Sequence, residues 1–146
     1  MASFPATLAT PETLLSFDYG TVRIGIAIGQ TVTATAKPLT TIACRNKKPD
    51  WSAIGKLIAD WQPQRLVVGL PLQLDGSEQE MTERARRFGN QLKGRYNLPV
   101  EMVDERLTSR EAEAKLAAAG GKIDKARIDA QAAALILQSW LDQRTT

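Results

Sequence analysis

The sequence predicts an α/β protein in which helices cover both faces of one mixed sheet. Three strand-like segments follow one another near the start of the chain, and helices and strands alternate after them. Strands that follow one another directly pair as an antiparallel meander, whereas strands joined through helices pair in parallel. A chain of 146 residues with 43% hydrophobic content can bury one ordinary core. We therefore expect a single domain over residues 13–146, preceded by a flexible leader over residues 1–12.

Five strands are predicted from apolar runs that are bounded by turn residues. They cover residues 14–18, 22–28, 31–42, 65–69 and 98–103. The turn Gly20-Thr21 joins the first two as a hairpin. Gly25 and Gly29 do not fit a phosphate-binding loop and are interpreted as close-packing glycines. Pro38 predicts an edge position for the third strand, because proline cannot donate a hydrogen bond to a neighbouring strand.

Four helices are predicted from apolar residues that recur at helical spacing. They begin after Pro49-Asp50, at capping boxes over residues 77–80 and 108–111, and near residue 125. Pro63 ends the first helix, and Gly120-Gly121 ends the third. The last helix should run to about residue 143, and its positions 129, 133, 136 and 140 share one face. That face should meet the sheet.

The residue types that the chain lacks exclude several kinds of active site. It has no histidine and a single cysteine, Cys44. A Ser-His-Asp triad, a Cys-His pair, a Cys/His zinc site and an internal disulfide are therefore excluded. No segment has the composition of a signal peptide or the length of an apolar membrane span, so we expect a cytoplasmic protein without membrane contact. The formal net charge of +3 is compatible with a polyanionic partner.

Three carboxylates stand where an ionised side chain is costly unless it has a partner charge or a metal. Asp18 ends the first strand, Glu105 follows the fifth, and Asp129 lies on the sheet-facing side of the last helix. Each also has a simpler interpretation: Asp18 caps a turn, Glu105 forms a surface ion pair, and Asp129 is stabilised by the helix dipole. If the three meet in space, their oxygens suit a hard divalent cation.

Four parts of the chain form a specific pattern when they are taken together and in order. They are residues 17–20 (FDYG) with 23–27 (RIGIA), 67–72 (VVGLPL) with 75–77 (DGS), 104–108 (DERLT), and 128–133 (IDAQAA). This pattern resembles the YqgF (RuvX) family of nucleases over nearly the whole chain. The resemblance implies an RNase H-like fold with a five-stranded mixed sheet, in which the first three strands are antiparallel.

The resemblance also implies a metal site at Asp18, Glu105 and Asp129, which would be both the metal ligands and the catalytic residues, with Mg²⁺ or Mn²⁺ as the cofactor. It further implies hydrolysis of phosphodiester bonds, with the 5′ end of precursor 16S rRNA as the substrate. Junction-resolving relatives carry a further Asp three residues after the last-helix carboxylate, and here Ala132 stands at that position. This departure makes RNA the expected partner and leaves DNA as the alternative.

Basic residues near the three carboxylates are the candidates for contacts with a nucleic-acid backbone. Lys122, Lys125 and Arg127 fall in a glycine-started segment directly before the last-helix carboxylate. Arg23 and Arg106 complete the set. Contacts of this kind would position the backbone without reading its sequence.

Three other functions compete with that of an rRNA nuclease. One is a Holliday-junction resolvase-like DNA nuclease, and another is a non-catalytic rRNA- or ribosome-binding module with a vestigial acidic site. The third is an actin-like or sugar-kinase-like ATPase, because Asp18-x-Gly20-Thr21 resembles the first phosphate loop of that fold. Such ATPases use two lobes and a second phosphate loop, which one domain of this length does not offer. We expect a monomer or a weak homodimer.

Overall fold

The structure, a computed structural model, describes residues 10–73, 75–105, 114, 117, 118 and 125–144. The strands are β1 (Thr13–Asp18), β2 (Arg23–Gln30), β3 (Thr35–Ala43), β4 (Arg65–Pro71) and β5 (Val100–Glu105). The helices with defined bounds are α1 (Trp51–Trp61), α2 (Glu80–Tyr96) and α3 (Lys125–Arg144). The predicted third helix lies outside the described residues, apart from residues 114, 117 and 118, which are helical. Within the described residues, no helix has the length and apolar composition needed to cross a bilayer.

The five strands form one sheet in the order β3-β2-β1-β4-β5. β2 is antiparallel to both β1 and β3, whereas β4 is parallel to both β1 and β5. The predicted mixed sheet with its antiparallel first half is therefore confirmed. β3 lies at the edge, as Pro38 predicts, and Pro38 stands opposite Ala27 beside a β-bulge.

Several strand boundaries differ from the prediction, most of all those of β5 and β3. β5 is shifted by two residues, so that it begins at Val100 and ends at Glu105, because its parallel pairing with β4 runs from Val100 to Glu105. β3 begins only at Thr35, because residues 31–34 form a turn in which Ala34 has a left-handed φ of 53°. The first difference matters for the site, since it places Glu105 on the strand itself and gives its side chain a defined face.

The capping of α1 is confirmed, and the predicted capping box of α2 is wrong by two positions. Asp50 caps α1 by accepting a bond from the backbone of that helix at 3.1 Å. The box of α2 is formed by Gln79 and Thr82. The Ser77 hydroxyl instead donates to Asp75 at 2.6 Å, so a local turn takes the side chain that the pattern assigned to the helix.

α1 and α2 cover one face of the sheet. The core on this face contains Leu15, Phe17, Ile24, Ile26, Ile54, Leu66, Val68, Ala85, Phe88 and Leu92. Phe88 lies at its centre, with ring centroids 5.6 Å from Phe17, 5.0 Å from Tyr19 and 5.6 Å from Trp51. Aromatic contacts at these distances add to the free energy gained by burial.

α3 covers the opposite face, and β2 meets it with small residues. Gly25, Ala27 and Gly29 alternate along β2 towards α3. A Cβ atom at Gly25 would stand 2.0 Å from the backbone oxygen of Asp129, and one at Gly29 would stand 2.7 Å from Leu137 Cδ2. Neither distance is compatible with a real side chain, so the predicted close-packing role of both glycines is confirmed.

The predicted sheet-facing stripe of the last helix is confirmed as well. Ala133, Ile136 and Trp140 on α3 are all buried. The fully buried hydroxyl of Ser16 on β1 donates to the Ala133 carbonyl oxygen at 2.7 Å. This bond fixes the position of α3 along β1, because a buried hydroxyl without a partner would cost about 1–3 kcal/mol.

Glu12 attaches the end of the predicted leader to the domain. Its carboxylate accepts two bonds from the Arg65 guanidinium, at 2.9 and 3.2 Å. Its backbone nitrogen donates to Thr31 Oγ1 at 2.9 Å, and its carbonyl oxygen accepts from Thr31 N at 3.0 Å. Residues 1–9 lie outside the described residues, so the flexible leader and the domain boundary at residue 13 stay predictions.

We predict that Gly25→Ala destabilises the protein by at least about 3 kcal/mol, the upper end of ordinary overpacking, because backbone atoms on both sides resist the added methyl group. Gly94→Ala is the matched control. Gly94 lies in α2 with no atom within 4 Å of an added Cβ. That variant should be stabilised by roughly 0.5–1 kcal/mol, since glycine is unfavourable inside a helix. Urea unfolding of both variants measures the difference, and similar stabilities would contradict the close approach of α3.

Candidate functional site

Asp18 lies at the end of β1 and on the sheet face that α3 covers. Side chains alternate along a strand, and Leu14 and Ser16 both contact α3, so Asp18 has the same orientation. In the antiparallel pairing with β2, the partner of Asp18 is Gly25. The neighbour of this carboxylate is therefore the glycine on which α3 rests.

Asp129 is brought to the same place by the backbone of α3. If Gly25 had a Cβ atom, the carbonyl group of Asp129 would be its nearest neighbour. Since Gly25 pairs with Asp18, the helix and the strand deliver two carboxylates to neighbouring positions. The side chain of Asp129 is partly buried.

Glu105 reaches the site from the other side, across β4. A Cβ atom at Gly69 on β4 would lie 2.8 Å from Glu105 Oε2 and 2.5 Å from Ile136 Cδ1. β4 lies between β5 and β1, and Val68 pairs with Phe17, so Gly69 stands beside the end of β1. The missing side chain at Gly69 leaves room for the Glu105 carboxylate on the α3 face, next to Asp18.

The charges of the three carboxylates act on one another. Asp18 is half-buried. Burial raises the pKa of Asp18 well above its usual range, and the negative charges of Glu105 and then Asp129 raise it further. Burial disfavours the charged form of a carboxyl group, and nearby like charges disfavour it further. The three predicted site residues therefore lie close enough together for the charges of Glu105 and Asp129 to act on Asp18.

Arg23 holds one of the three carboxylates. Its Nε donates to Asp129 Oδ2 at 2.7 Å, with side-chain exposures of 32% and 21% for the two residues. Arg23 begins β2 and lies on the same face as Gly25, two residues along the strand. Charge-assisted bonds in partly buried surroundings are among the stronger ones in proteins. Arg23 thus gives the acidic group a positive partner.

The donor set fits a hard divalent cation, although the side chains are not arranged around one. Among the acidic, cysteine and histidine side chains of the described residues, no group of three is positioned to hold a metal ion. Asp129 is turned towards Arg23 instead. Carboxylate oxygens are the ligands that Mg²⁺ and Mn²⁺ prefer. The crowding of negative charge at Asp18 also favours a cation, and β1, β5 and α3 each contribute one of the three carboxylates.

The five basic residues predicted to contact nucleic acid have different outcomes. Arg23 lies at the carboxylates but is engaged with one of them. Arg127 is exposed in the first turn of α3. Lys125 begins α3, and its side chain lies outside the described part, as do Arg106 and Lys122 altogether. Their contacts with nucleic acid stay predictions.

Sequence reasoning missed two features of the site. The first is Gly69, for which the apolar pattern indicates only the end of a strand. A glycine in an otherwise apolar strand is the available signal, because it often marks a place where another group approaches the backbone closely. The second is the pairing of Arg23 with Asp129, which joins residues 106 positions apart and has no local signal.

Comparisons with known proteins identify the family and the fold of the chain. The model of the family described as "RuvX: Holliday junction resolvase" matches residues 12–143. A protein of Glaesserella parasuis named "Putative pre-16S rRNA nuclease" is 51% identical over 136 residues, which cover 92% of this chain and 99% of that protein. A protein of the same name from Burkholderia mallei is 54% identical over 137 residues, covering 94% of this chain and 92% of that one.

Two solved structures share the fold at low sequence identity. RuvC of T. thermophilus in complex with a Holliday junction substrate aligns with a TM-score of 0.53 at 15% identity, over 90% of this chain and 95% of that one. The Fowlpox virus resolvase bound to Holliday junction DNA gives 0.58 at 11% identity, over 92% and 99%. These likenesses confirm the predicted RNase H-like fold. Because the family model matches nearly the whole chain and relatives are about half identical to it, the chain belongs to the RuvX (YqgF) family.

Proposed function

We propose that this protein is a metal-dependent nuclease that trims the 5′ end of precursor 16S rRNA in the cytoplasm. The general activity, hydrolysis of phosphodiester bonds, is that of the family to which the chain belongs. The choice of rRNA is supported by the name of relatives that are 51% and 54% identical over more than nine-tenths of the chain. The choice of mechanism is supported by the site.

The observation that carries the proposal is the convergence of three carboxylates at one end of the sheet. Asp18, Glu105 and Asp129 come from three different elements, and burial together with the charges of Glu105 and Asp129 raises the pKa of Asp18. Such crowding costs stability and has no structural purpose that an apolar side chain would not serve better. Strongly perturbed groups on a partly open surface are typical of functional sites.

Mg²⁺ or Mn²⁺ is the cofactor that this donor set would hold. A bound divalent cation supplies charge neutralisation on the phosphate oxygens and lowers the pKa of a water that can attack phosphorus. Asp18, Glu105 and Asp129 would be its ligands. The chain has no histidine, so its own contribution to the chemistry rests on carboxylates and on the cations around them.

Arg23 would have two roles in this scheme. Without a metal it balances the charge of Asp129. If Asp129 held a metal, the Arg23 guanidinium would be free to donate two parallel bonds to a phosphate. Arg106, Lys122, Lys125 and Arg127 are proposed as further contacts with the backbone, on the basis of their positions next to Glu105 and Asp129 in the sequence.

The absence of a fourth carboxylate at Ala132 favours RNA trimming over junction resolution. Ala132 is fully buried on α3, and its methyl group offers no oxygen to a cation. The neighbouring structures that hold Holliday junctions are 15% and 11% identical to this chain, which is too little to transfer a substrate.

We predict that Asp18→Asn, Glu105→Gln and Asp129→Asn each lower Mn²⁺-dependent cleavage of a 16S rRNA precursor by at least about 100-fold. Each change removes one anionic ligand, and charge stabilisation by a metal contributes several kcal/mol to the transition state. The measurement is single-turnover cleavage of end-labelled precursor RNA, with duplex DNA and a four-way junction as competing substrates.

Two matched variants control for the loss of charge. Asp104→Asn changes the neighbour of Glu105 on the opposite sheet face, and Asp142→Asn changes an exposed carboxylate near the end of α3. Both should cleave within about twofold of the wild type, as distant surface substitutions usually do. Full cleavage by Asp18→Asn would contradict the proposed mechanism. A wild type that binds precursor rRNA without cutting any substrate would support the non-catalytic module instead.

We further predict that Arg23→Gln destabilises the metal-free protein by about 1–3 kcal/mol, because it leaves a partly buried carboxylate without its cation. Mn²⁺ should stabilise this variant more than the wild type, since no guanidinium then competes for Asp129. Thermal unfolding with and without Mn²⁺ measures both effects. Arg86→Gln, which breaks an exposed pair with Glu78, is the control and should change little. If Mn²⁺ left the difference in stability between Arg23→Gln and the wild type unchanged, this result would contradict the proposal that a metal and Arg23 compete for Asp129.

A further inference from the structure

A tight turn with three basic residues projects from the sheet at the end where the carboxylates lie; we name residues 45–48 the basic tip. Arg45 N donates to Lys48 O at 3.0 Å, and Lys48 N donates to Arg45 O at 2.9 Å. Between them Asn46 and Lys47 have φ angles of 52° and 62°. Positive φ at both central residues is the geometry of a two-residue type I′ hairpin turn. The turn is therefore closed at both ends and presents its side chains in fixed directions.

The residue at the second central position is costly for the backbone. Glycine is the usual residue there, because any Cβ atom disfavours the left-handed region. Lys47 occupies it instead and is exposed. The Lys47 side chain adds positive charge at the apex of the tip, but it does not stabilise the backbone conformation of the turn.

The cations of the basic tip are exposed and have no carboxylate partners among the described residues. Arg45, Lys47 and Lys48 take part in none of the ion pairs found there. Elsewhere in the chain, Arg65 and Arg86 each hold a glutamate. Three exposed cations within four residues make a local positive field that attracts polyanions.

The basic tip is anchored to the elements that carry the site. Cys44, directly before it, donates from its backbone nitrogen to Val22 O at 2.8 Å, and its Sγ lies 3.5 Å from the Gly20 carbonyl oxygen. Ala43 pairs with Arg23, the partner of the α3 carboxylate. At a rise of about 3.3 Å per residue, the apex stands roughly 10 Å beyond Arg23. A nucleic-acid strand held at the carboxylates would extend past the tip within a few nucleotides.

The surroundings of the basic tip favour phosphate over base recognition. The tip borders an open depression of about 520 Å³ that Trp51 also lines. The ring of Trp51 is already stacked with Phe88 and covered by the Arg95 guanidinium, 4.1 Å from its centroid, so it is not available for a base. Asp50, the one carboxylate here, is bound to the start of α1. The N-terminus of α1 adds its positive dipole end.

We propose that the basic tip binds backbone phosphates of the substrate RNA strand on one side of the cleavage site, without reading base sequence. The proposal rests on the proposed function in taking RNA as the polyanion, and it assigns to Arg45, Lys47 and Lys48 contacts that lie outside the carboxylate site. The tip would align the strand, and the carboxylates would act on the phosphate delivered to them.

The test is RNA binding by the full chain with Asp18→Asn as the common background and EDTA present, so that no cleavage takes place. The tip variant is Arg45→Gln/Lys47→Asn/Lys48→Gln, in which Asn keeps the left-handed turn. Fluorescence anisotropy gives Kd for a precursor 16S rRNA segment and for a scrambled RNA of equal length, over a series of salt concentrations. The tip variant should bind both RNAs about tenfold more weakly, and the slope of log K against log salt should fall by up to about 2, from about 0.7 per lost phosphate contact.

A variant with the same loss of charge elsewhere separates the tip from net charge. Lys37→Gln/Lys56→Gln/Lys93→Gln removes three exposed cations from β3, α1 and α2. It should keep the salt slope within about 0.5 of the background value. Equal slopes for the two triple variants, or a tip variant that binds like the background, would overturn the proposal.

Two further results keep the test independent of folding and of catalysis. Lys48→Gln alone changes one exposed side chain and should show about a third of the full slope change, even if the triple variant unfolds early in a thermal melt.

The binding result does not depend on cleavage. If the wild type cuts no RNA while the tip variant still binds more weakly, the nuclease proposal fails and the basic tip stands; if cleavage needs Asp18 but the tip variant binds normally, only the basic tip fails.

Discussion

The contact between the backbone of α3 and Gly25 is the constraint on which the rest of the structure depends. A Cβ atom at Gly25 would lie 2.0 Å from the Asp129 carbonyl oxygen, so the helix can rest on β2 only where the side chain is missing. The pairing of β1 with β2 then places Asp18 beside the same glycine. On the other side, Gly69 leaves room for Glu105. Two glycines, on the strands β2 and β4 that flank β1, therefore determine where the three carboxylates lie.

This convergence creates an electrostatic problem that the protein solves only in part. Like charges in a poorly solvated place raise the pKa of Asp18. Arg23 neutralises Asp129, but that pairing also occupies one of the ligands that a cation would need. The metal-free protein thus stores unfavourable charge interactions at one end of the sheet. A divalent cation held there would relieve them, and this relief would contribute to its affinity for the site.

The fold was largely predictable from the sequence, and the geometry of the site was not. Helical periodicity predicted the face of Asp129, and the end of a buried strand predicted the position of Asp18, because both are local properties. Glu105 depended on resemblance, since its strand ends two residues later than the apolar pattern indicated. The approach of α3 to Gly25 and the pairing of Arg23 are long-range contacts, which are set by the packing of whole elements. No local pattern contains them.

The most direct test of the carboxylate site is the anomalous diffraction of crystals soaked in Mn²⁺. The account predicts one or two Mn²⁺ peaks within about 2.0–2.6 Å of oxygens from Asp18, Glu105 and Asp129 together. It also predicts that the Arg23 guanidinium has moved away from Asp129. Peaks at other residues, or a structure in which Asp129 stays on Arg23 while Mn²⁺ is bound elsewhere, would contradict the account.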